Sequence, residues 1–195
     1  MKYLILVFFI INSTCSTAQN TFQNSKKHRI GYVLSIGDTR KFLDLGTPIA
    51  YSITSHQINY FYKWREKEKT SWEFMVAPQI NHAKYKDFED NRDWIELKEQ
   101  GVNFGVSYNY AITKSTKTYL LLSIGPHYIS ELIPYRAAKG LTFSDNATVG
   151  ITQKISSNFS FDLRYGIRHI SNAGLKKPNI GINTMMLSTG LYVQL

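Results

Sequence analysis

Residues 102–112 read VNFGVSYNYAI, and this stretch decides the fold class. Every second residue in it is apolar or aromatic, while the residues between them are small or polar; the apolar set is Val102, Phe104, Val106, Tyr108, Tyr110 and Ile112. Successive side chains of a β-strand point to opposite faces, so a period of two predicts a strand with one apolar face and one wet face.

The same alternation recurs on both sides of this stretch, at 72–80 and 141–151, and no helical stripe of useful length competes with it. With weaker cases added, the pattern predicts eight strands, near residues 28–37, 50–64, 70–85, 95–112, 117–130, 140–153, 157–171 and 182–195. The predicted connections alternate between short ones and longer ones rich in charge, Pro or Gly. An even strand count with this alternation is typical of an all-β, eight-stranded, antiparallel up-and-down transmembrane β-barrel.

A soluble exported sandwich or a lipocalin-like barrel would share the alternation. The composition favours the membrane barrel, because aromatics make up 14% of the chain, 13 residues are tyrosine, and the mean hydropathy is only -0.25. Aromatic-rich strands without long apolar runs suit barrels with aromatic girdles. The last strand is also amphipathic and ends on the apolar Leu195, which resembles the signal that barrel-assembly machinery reads.

The N-terminus has the pattern of a secretory signal peptide. A positive charge at Lys2 precedes an apolar run over residues 3–11 and small residues ending at Ala18. We therefore predict a signal peptide over 1–18 and a mature domain over 19–195. The only cysteine, Cys15, falls inside the signal, so the mature chain should hold no disulfide. Lipidation of Cys15 is the weaker alternative, because residues 12–14 lack the apolar residue of a lipobox.

The formal net charge of +9 indicates an anionic partner. For an exported protein, this favours phosphorylated lipid and argues against nucleic acid. The histidines outside the seventh strand are scattered without metal-ligand spacing, and no glycine-rich loop resembles a phosphate-binding loop. No metal and no cofactor are expected.

The seventh predicted strand carries a pattern that indicates chemistry. Its odd-numbered residues are apolar up to Ile167, and His169 and Ser171 continue the same outward, lipid-facing side. Two residues apart on a strand, they are separated by about 7 Å between Cα atoms. Rotamers can close that gap, so the imidazole can take the serine proton during attack on an ester. Loop counting puts the pair at the outer end of the barrel.

The stretch from His169 to Gly174 reads HISNAG and is followed by Pro178-Asn179-Ile180-Gly181. It resembles the signature of the lipid A 3-O-deacylase (acyloxyacyl hydrolase) family of outer-membrane barrels. The resemblance implies a serine esterase in the outer membrane of a Gram-negative bacterium that hydrolyses an ester-linked acyl chain of lipid A, at the 3-O position. It also implies His169 as base, Ser171 as nucleophile, and an oxyanion hole from Asn172 and the backbone N–H of Gly174.

One position departs from the family pattern. Its best-known members have a glutamate fourteen residues after the histidine, and this chain has Asn183. An amide can hold the imidazole tautomer, but it cannot offset the positive charge that forms on His169 during catalysis. Asp145, on the outward face of the sixth predicted strand, is an alternative carboxylate.

Basic residues near the outer rim are expected to contact the lipid A phosphates. Arg168, Lys176 and Lys177 are closest to the motif, and Arg40, Lys41, Arg136 and Lys139 are further candidates.

Three functions remain open beside the expected lipopolysaccharide substrate and outer-membrane location. The first is the esterase. The second is a catalytically silent structural or lipopolysaccharide-binding barrel, in which the Asn, Gly and Pro of the motif only build a hairpin. The third is an acyltransferase barrel. A homodimer is also left open.

Overall fold

The computed structural model describes residues 26–39, 49–87 and 93–195, so the predicted signal peptide and Cys15 lie outside the described residues. Eight antiparallel strands form a closed barrel in which each strand pairs with the next and β8 pairs with β1. The strands are β1 (His28–Asp38), β2 (Ile49–Lys67), β3 (Thr70–Asp87), β4 (Ile95–Ala111), β5 (Thr116–Ile129), β6 (Gly140–Lys154), β7 (Phe159–Ser171) and β8 (Ile182–Gln194). No helix of the described residues could cross a membrane.

The predicted fold class is confirmed, and the predicted strand ends differ from those of the structure by three residues or fewer. The alternation also gives the correct face. In β4, for example, Phe104, Tyr108 and Tyr110 are exposed on the outside, whereas Asn103 and Ser107 are buried in the lumen. A barrel that exposes apolar side chains and buries polar ones is inverted relative to a soluble protein, as a lipid-facing surface requires.

The two ends of the barrel differ in their connections. At the turn end, residues 68–69, 112–115 and 155–158 connect the strands, and the backbone N–H of Leu195 donates to the carbonyl of His28. At the loop end, the connections span residues 39–48, 88–94, 130–139 and 172–181. The described part of the chain therefore begins and ends at the turn end, and the motif that contains His169 and Ser171 lies at the loop end.

The strands are staggered around the barrel. The shear of the barrel is found by following cross-strand partners once around it. Starting at His28 and passing from β2 to β8, the partners lead back to β1 at Asp38, ten residues further on. Such a shear requires strands tilted by about 35–45°. In this register, His169 of β7 is the cross-strand partner of both Asp145 on β6 and Asn183 on β8. The stagger therefore aligns three candidate site residues on neighbouring strands.

Charged networks fill the lumen. Glu99 accepts a hydrogen bond from Arg168 at 2.6 Å and another from Tyr51, and Glu73 pairs with Arg29 at 2.6 Å and with Lys117 at 3.2 Å. Buried charges are tolerated when they are paired and hydrogen-bonded in this way. The space between these networks is only about 40 Å³, so side chains fill the middle of the lumen.

An apolar cluster closes the loop end of the lumen. Its buried members include Ile170 of β7, Ile182 of β8, and Ile133 and Ala137 of the 130–139 loop. Ile170 and Ile182 are cross-strand partners that point inward, next to His169 and Asn183, which point outward. This packing fixes the ends of β7 and β8 and thereby the backbone that carries the site.

Candidate active site

His169 lies where the outer surface changes from apolar to polar. The outward residues of β7 before it are all apolar and exposed: Phe159, Phe161, Leu163, Tyr165 and Ile167. The same change occurs at His82 in β3 and at Gln100 in β4, where outward apolar residues give way to polar ones towards the loop end. A boundary at the same end on several strands indicates the edge of the hydrocarbon layer. His169 and Ser171 therefore lie at the level of the lipid head groups.

The His169 ring is held by the neighbouring strand. His169 and Asn183 are direct cross-strand partners, and the imidazole Nδ1 lies 2.7 Å from the Asn183 amide oxygen. Because that oxygen can only accept a hydrogen bond, Nδ1 carries the proton and Nε2 keeps its lone pair. This is the tautomer that a general base needs towards a serine hydroxyl.

Ser171 is half-buried and follows His169 on the same outward face. Among the described residues, no hydrogen bond joins its hydroxyl to the imidazole. A rotation of the serine side chain can close the distance between two residues at this spacing. Catalytic hydrogen bonds are often long before substrate binds, so the geometry is compatible with a nucleophile and its base.

Asp145 lies on the other side of His169. The two are direct cross-strand partners between β6 and β7, and Asp145 is exposed on the outer face. Cβ atoms of such partners are about 4.5–5.5 Å apart, so the carboxylate is within electrostatic reach of the ring. The imidazole is therefore flanked by an amide on β8 and a carboxylate on β6.

An apolar groove of about 710 Å³ runs along the outer surface from these residues towards the turn end. Its walls include Phe104, Leu122, Ile124 and Ile167, and the small Ala147 of β6 lies between its cross-strand partners Leu122 and Ile167. Asp145 and His169 are the lining residues nearest the loop end of β6 and β7. The shape and chemistry suit a hydrocarbon chain whose polar end lies beside the imidazole.

Asn172 organises the loop that follows β7. Its buried side chain accepts a hydrogen bond from the Gly174 N–H at 3.1 Å and donates to the carbonyl of Lys176. Its backbone N–H donates to the Asn179 side-chain oxygen at 2.6 Å. The two predicted oxyanion donors, Asn172 and the Gly174 N–H, are thus engaged inside the loop, and an oxyanion hole would require their release. That role stays a prediction.

Three further residues shape the site, and the sequence pattern predicts a role for only one of them, Arg136, as a phosphate contact. Asn179 caps the backbone of Asn172, and the Gly181 N–H donates to the carbonyl of Arg136 at 2.9 Å. Asn179 and Gly181 were visible as fixed positions of the motif, but no sequence signal links Arg136 to them. Only the closed barrel brings the 130–139 loop against the 172–181 loop.

One predicted phosphate contact is wrong. Arg168 is 3% exposed and points into the lumen, where it pairs with Glu99, because even-numbered residues of β7 face inward. Lys176 and Lys177 are exposed in the loop beside the site. Lys139 is exposed and lies 3.8 Å from Glu131, whereas Arg40 and Lys41 lie outside the described residues.

Among the described residues, no group of three His, Cys, Asp or Glu side chains could hold a metal ion. The His127 ring is buried in the lumen, where it contacts Gln79 and Asn103, so it does not face the lipid.

Comparison with known proteins shows the family and the fold of this chain. A family model for lipid A 3-O-deacylase (PagL) matches residues 50–192. The crystal structure of the outer membrane enzyme PagL is similar, with a TM-score of 0.57 and 15% identity, over 86% of this chain and 99% of that chain. Neisserial surface protein A (NspA) has a TM-score of 0.57 and 14% identity, over 86% of this chain and 97% of that chain. These structures show the shared fold, and no curated protein matches the sequence. The family match extends over most of the barrel, and the chain belongs to the PagL lipid A 3-O-deacylase family of outer-membrane β-barrels.

Proposed function

We propose that this protein is a serine esterase that removes the 3-O-linked acyl chain of lipid A in the outer leaflet of the outer membrane. The observation that carries the proposal is the outward-facing hydrogen bond between His169 and Asn183 at the head of an apolar groove. A soluble substrate would not reach a site on a lipid-facing surface. A lipid with its ester at the head-group level would meet the site as it diffuses in the membrane.

The reaction follows from the positions of Ser171 and His169. The Ser171 hydroxyl attacks the ester carbonyl carbon while its proton passes to Nε2 of His169. The tetrahedral intermediate then collapses, the bond to the sugar oxygen breaks, and that oxygen takes the proton from Nε2. Water attacks the acyl-enzyme by the same route, which releases the fatty acid and restores Ser171.

Asn183 and Asp145 together replace the acidic residue of a catalytic triad, which orients the histidine ring and stabilises its positive charge. Asn183 holds the tautomer and orientation of the ring through its 2.7 Å hydrogen bond. Asp145 supplies the negative charge that Asn183 lacks, from the partner position on β6. Dividing orientation and charge between two strands accounts for an esterase site without the family's glutamate.

The remaining parts of the site serve binding. The groove beside Ala147 holds the acyl chain, and Lys176 and Lys177 contact the phosphates of the glycolipid. Asn172 and the Gly174 N–H stabilise the oxyanion once the loop has released their internal hydrogen bond.

The test is expression of the protein in a Gram-negative host followed by mass spectrometry of lipid A. The intact protein should give lipid A lighter by one hydrolysed acyl chain, and Ser171→Ala should abolish that change. Ser157→Ala is the matched control, because Ser157 is an exposed serine at the turn end. A mass change that survives Ser171→Ala would refute the mechanism.

Two observations favour a second function. Asn183 stands where the family has an acid, and the Gly174 N–H is engaged in the loop, as in a barrel that binds lipopolysaccharide without cleaving it. Unaltered lipid A in the presence of folded, unmutated protein would favour this silent barrel. Transfer of the acyl chain to an acceptor in place of water would indicate an acyltransferase.

A further inference from the structure

The backbone at Gly181 lies against the His169 ring. An ideal Cβ built on Gly181 would lie 2.5 Å from the ring Cε1 and 2.9 Å from Nε2. Real Cβ atoms essentially never approach heavy atoms this closely. The imidazole therefore occupies space that any side chain at position 181 would need.

Hydrogen bonds from a second loop fix Gly181 in this position. Its N–H donates to the Arg136 carbonyl at 2.9 Å, and the Ala138 N–H donates to the Pro178 carbonyl at 3.1 Å. Ala138 is buried, and Ile182, directly after Gly181, is anchored in the apolar cluster. The backbone of Gly181 thus has little freedom to retreat from the ring.

The backbone angle at Gly181 does not by itself explain the glycine. Its φ is +80°, a region that L-residues rarely adopt, but Ala173 in the same loop has a φ of 53°. An alanine at positive φ is therefore present in this chain. What distinguishes position 181 is the His169 ring, which lies closer to the ideal Cβ than its other near neighbour, the Ile170 carbonyl oxygen at 3.0 Å.

We propose that Gly181 is a positioning residue for the base: its missing side chain leaves the space in which the His169 imidazole bonds to Asn183 with Nε2 free for Ser171. The inference rests on the proposed function and deepens it. A methyl group at 181 displaces the ring and separates the base from the nucleophile. The acyl groove lies on β3 to β7, on the other side of His169, so substrate binding is left intact.

The test compares Gly181→Ala with Gly140→Ala. Gly140 also has a positive φ, +116°, but nothing lies within 4 Å of its ideal Cβ, so this control carries the backbone penalty without the collision. Because a displacement of about 1 Å can cost about 100-fold in rate, we expect kcat to fall about 100-fold in Gly181→Ala with KM nearly unchanged. Gly140→Ala should keep its kcat. Equal kcat values in both variants would overturn the inference.

A second readout does not depend on activity. The ¹³Cε1–¹H NMR resonance of His169, assigned by its loss in His169→Gln, should shift in Gly181→Ala and stay in place in Gly140→Ala. An unchanged resonance in Gly181→Ala would overturn the inference. If the unmutated protein leaves lipid A intact while the resonance shifts as expected, the proposed function fails and the positioning stands.

A double variant covers the case in which Gly181→Ala does not fold. If the methyl group collides with the ring, His169→Ala combined with Gly181→Ala should restore the heat-modifiable gel mobility of a folded barrel. His169→Ala alone provides the reference. A double variant that is as unfolded as Gly181→Ala would assign the defect to the backbone and overturn the inference.

Discussion

Replacement of Asn183 by aspartate tests how much the missing acid costs this site. The two side chains have the same shape, so Asn183→Asp places a carboxylate oxygen where the amide oxygen now lies, 2.7 Å from Nδ1 of His169. The tautomer is then held as before, and a negative charge is added beside the imidazolium that forms during attack. The expected result is a higher kcat, with KM unchanged.

The size of the effect follows from the geometry. A 2.7 Å hydrogen bond puts the two charge centres about 4 Å apart, where unit charges attract by about 4 kcal/mol near a protein surface and by about 1 kcal/mol in bulk water. Asn183 is exposed, so the gain lies between these limits. Each 1.36 kcal/mol is a factor of ten in rate, so kcat should rise between about fivefold and about a thousandfold.

The assay is single-turnover hydrolysis of purified lipid A in detergent micelles. Asn183→Glu restores the residue of the family pattern and should also raise the rate or leave it unharmed, whereas Asn183→Ala removes the hydrogen bond and should lower it. A large loss in Asn183→Asp would refute the reasoning. It would mean that the amide donor of Asn183, and not only its oxygen, is required.

Two further predictions concern the neighbours of His169. Asp145→Asn should lower kcat by about 3- to 100-fold, because charges about 6 Å apart interact by about 0.7 kcal/mol in water and about 3 kcal/mol near a protein surface. Single-turnover rates measure this loss. An unchanged rate would show that the Asp145 carboxylate does not assist the base. Ala147→Phe should fill the groove and slow hydrolysis of long-chain esters by tenfold or more while sparing short-chain esters. A chain-length series of ester substrates measures this selectivity, and an equal loss at all lengths would contradict the assignment of the groove.

The sequence predicted the strands well because alternate residues of each barrel strand face the lipid and the lumen, so apolar and polar residues alternate with a period of two. In β4, Phe104 and Asn103 cannot exchange faces without placing an amide in lipid and a phenyl ring among buried charges. The same rule placed His169 on the outer face. The rule also places Arg168, at an even position of β7, in the lumen, so the phosphate contact expected for Arg168 is wrong.

The contacts between residues on different strands could not be predicted from side-chain alternation within one strand. The pairing of His169 with Asn183 is the most local of these contacts, because β7 and β8 are consecutive strands joined by the 172–181 loop. Asp145, Arg136 and Gly181 meet the site only through the register of β6 and the contact between two loops. Nothing in the residue pattern records that register.

By itself, the sequence determined the barrel, its lipid-facing side and the presence of an imidazole and a hydroxyl on that side. Each of these depends on side-chain alternation within one strand, which is a local property. Only the tertiary structure decided that Asp145 is the direct cross-strand partner of His169 and that Gly181 leaves room for the His169 ring. Those contacts depend on how far neighbouring strands are shifted against each other, and this shift is set by closure of the whole barrel.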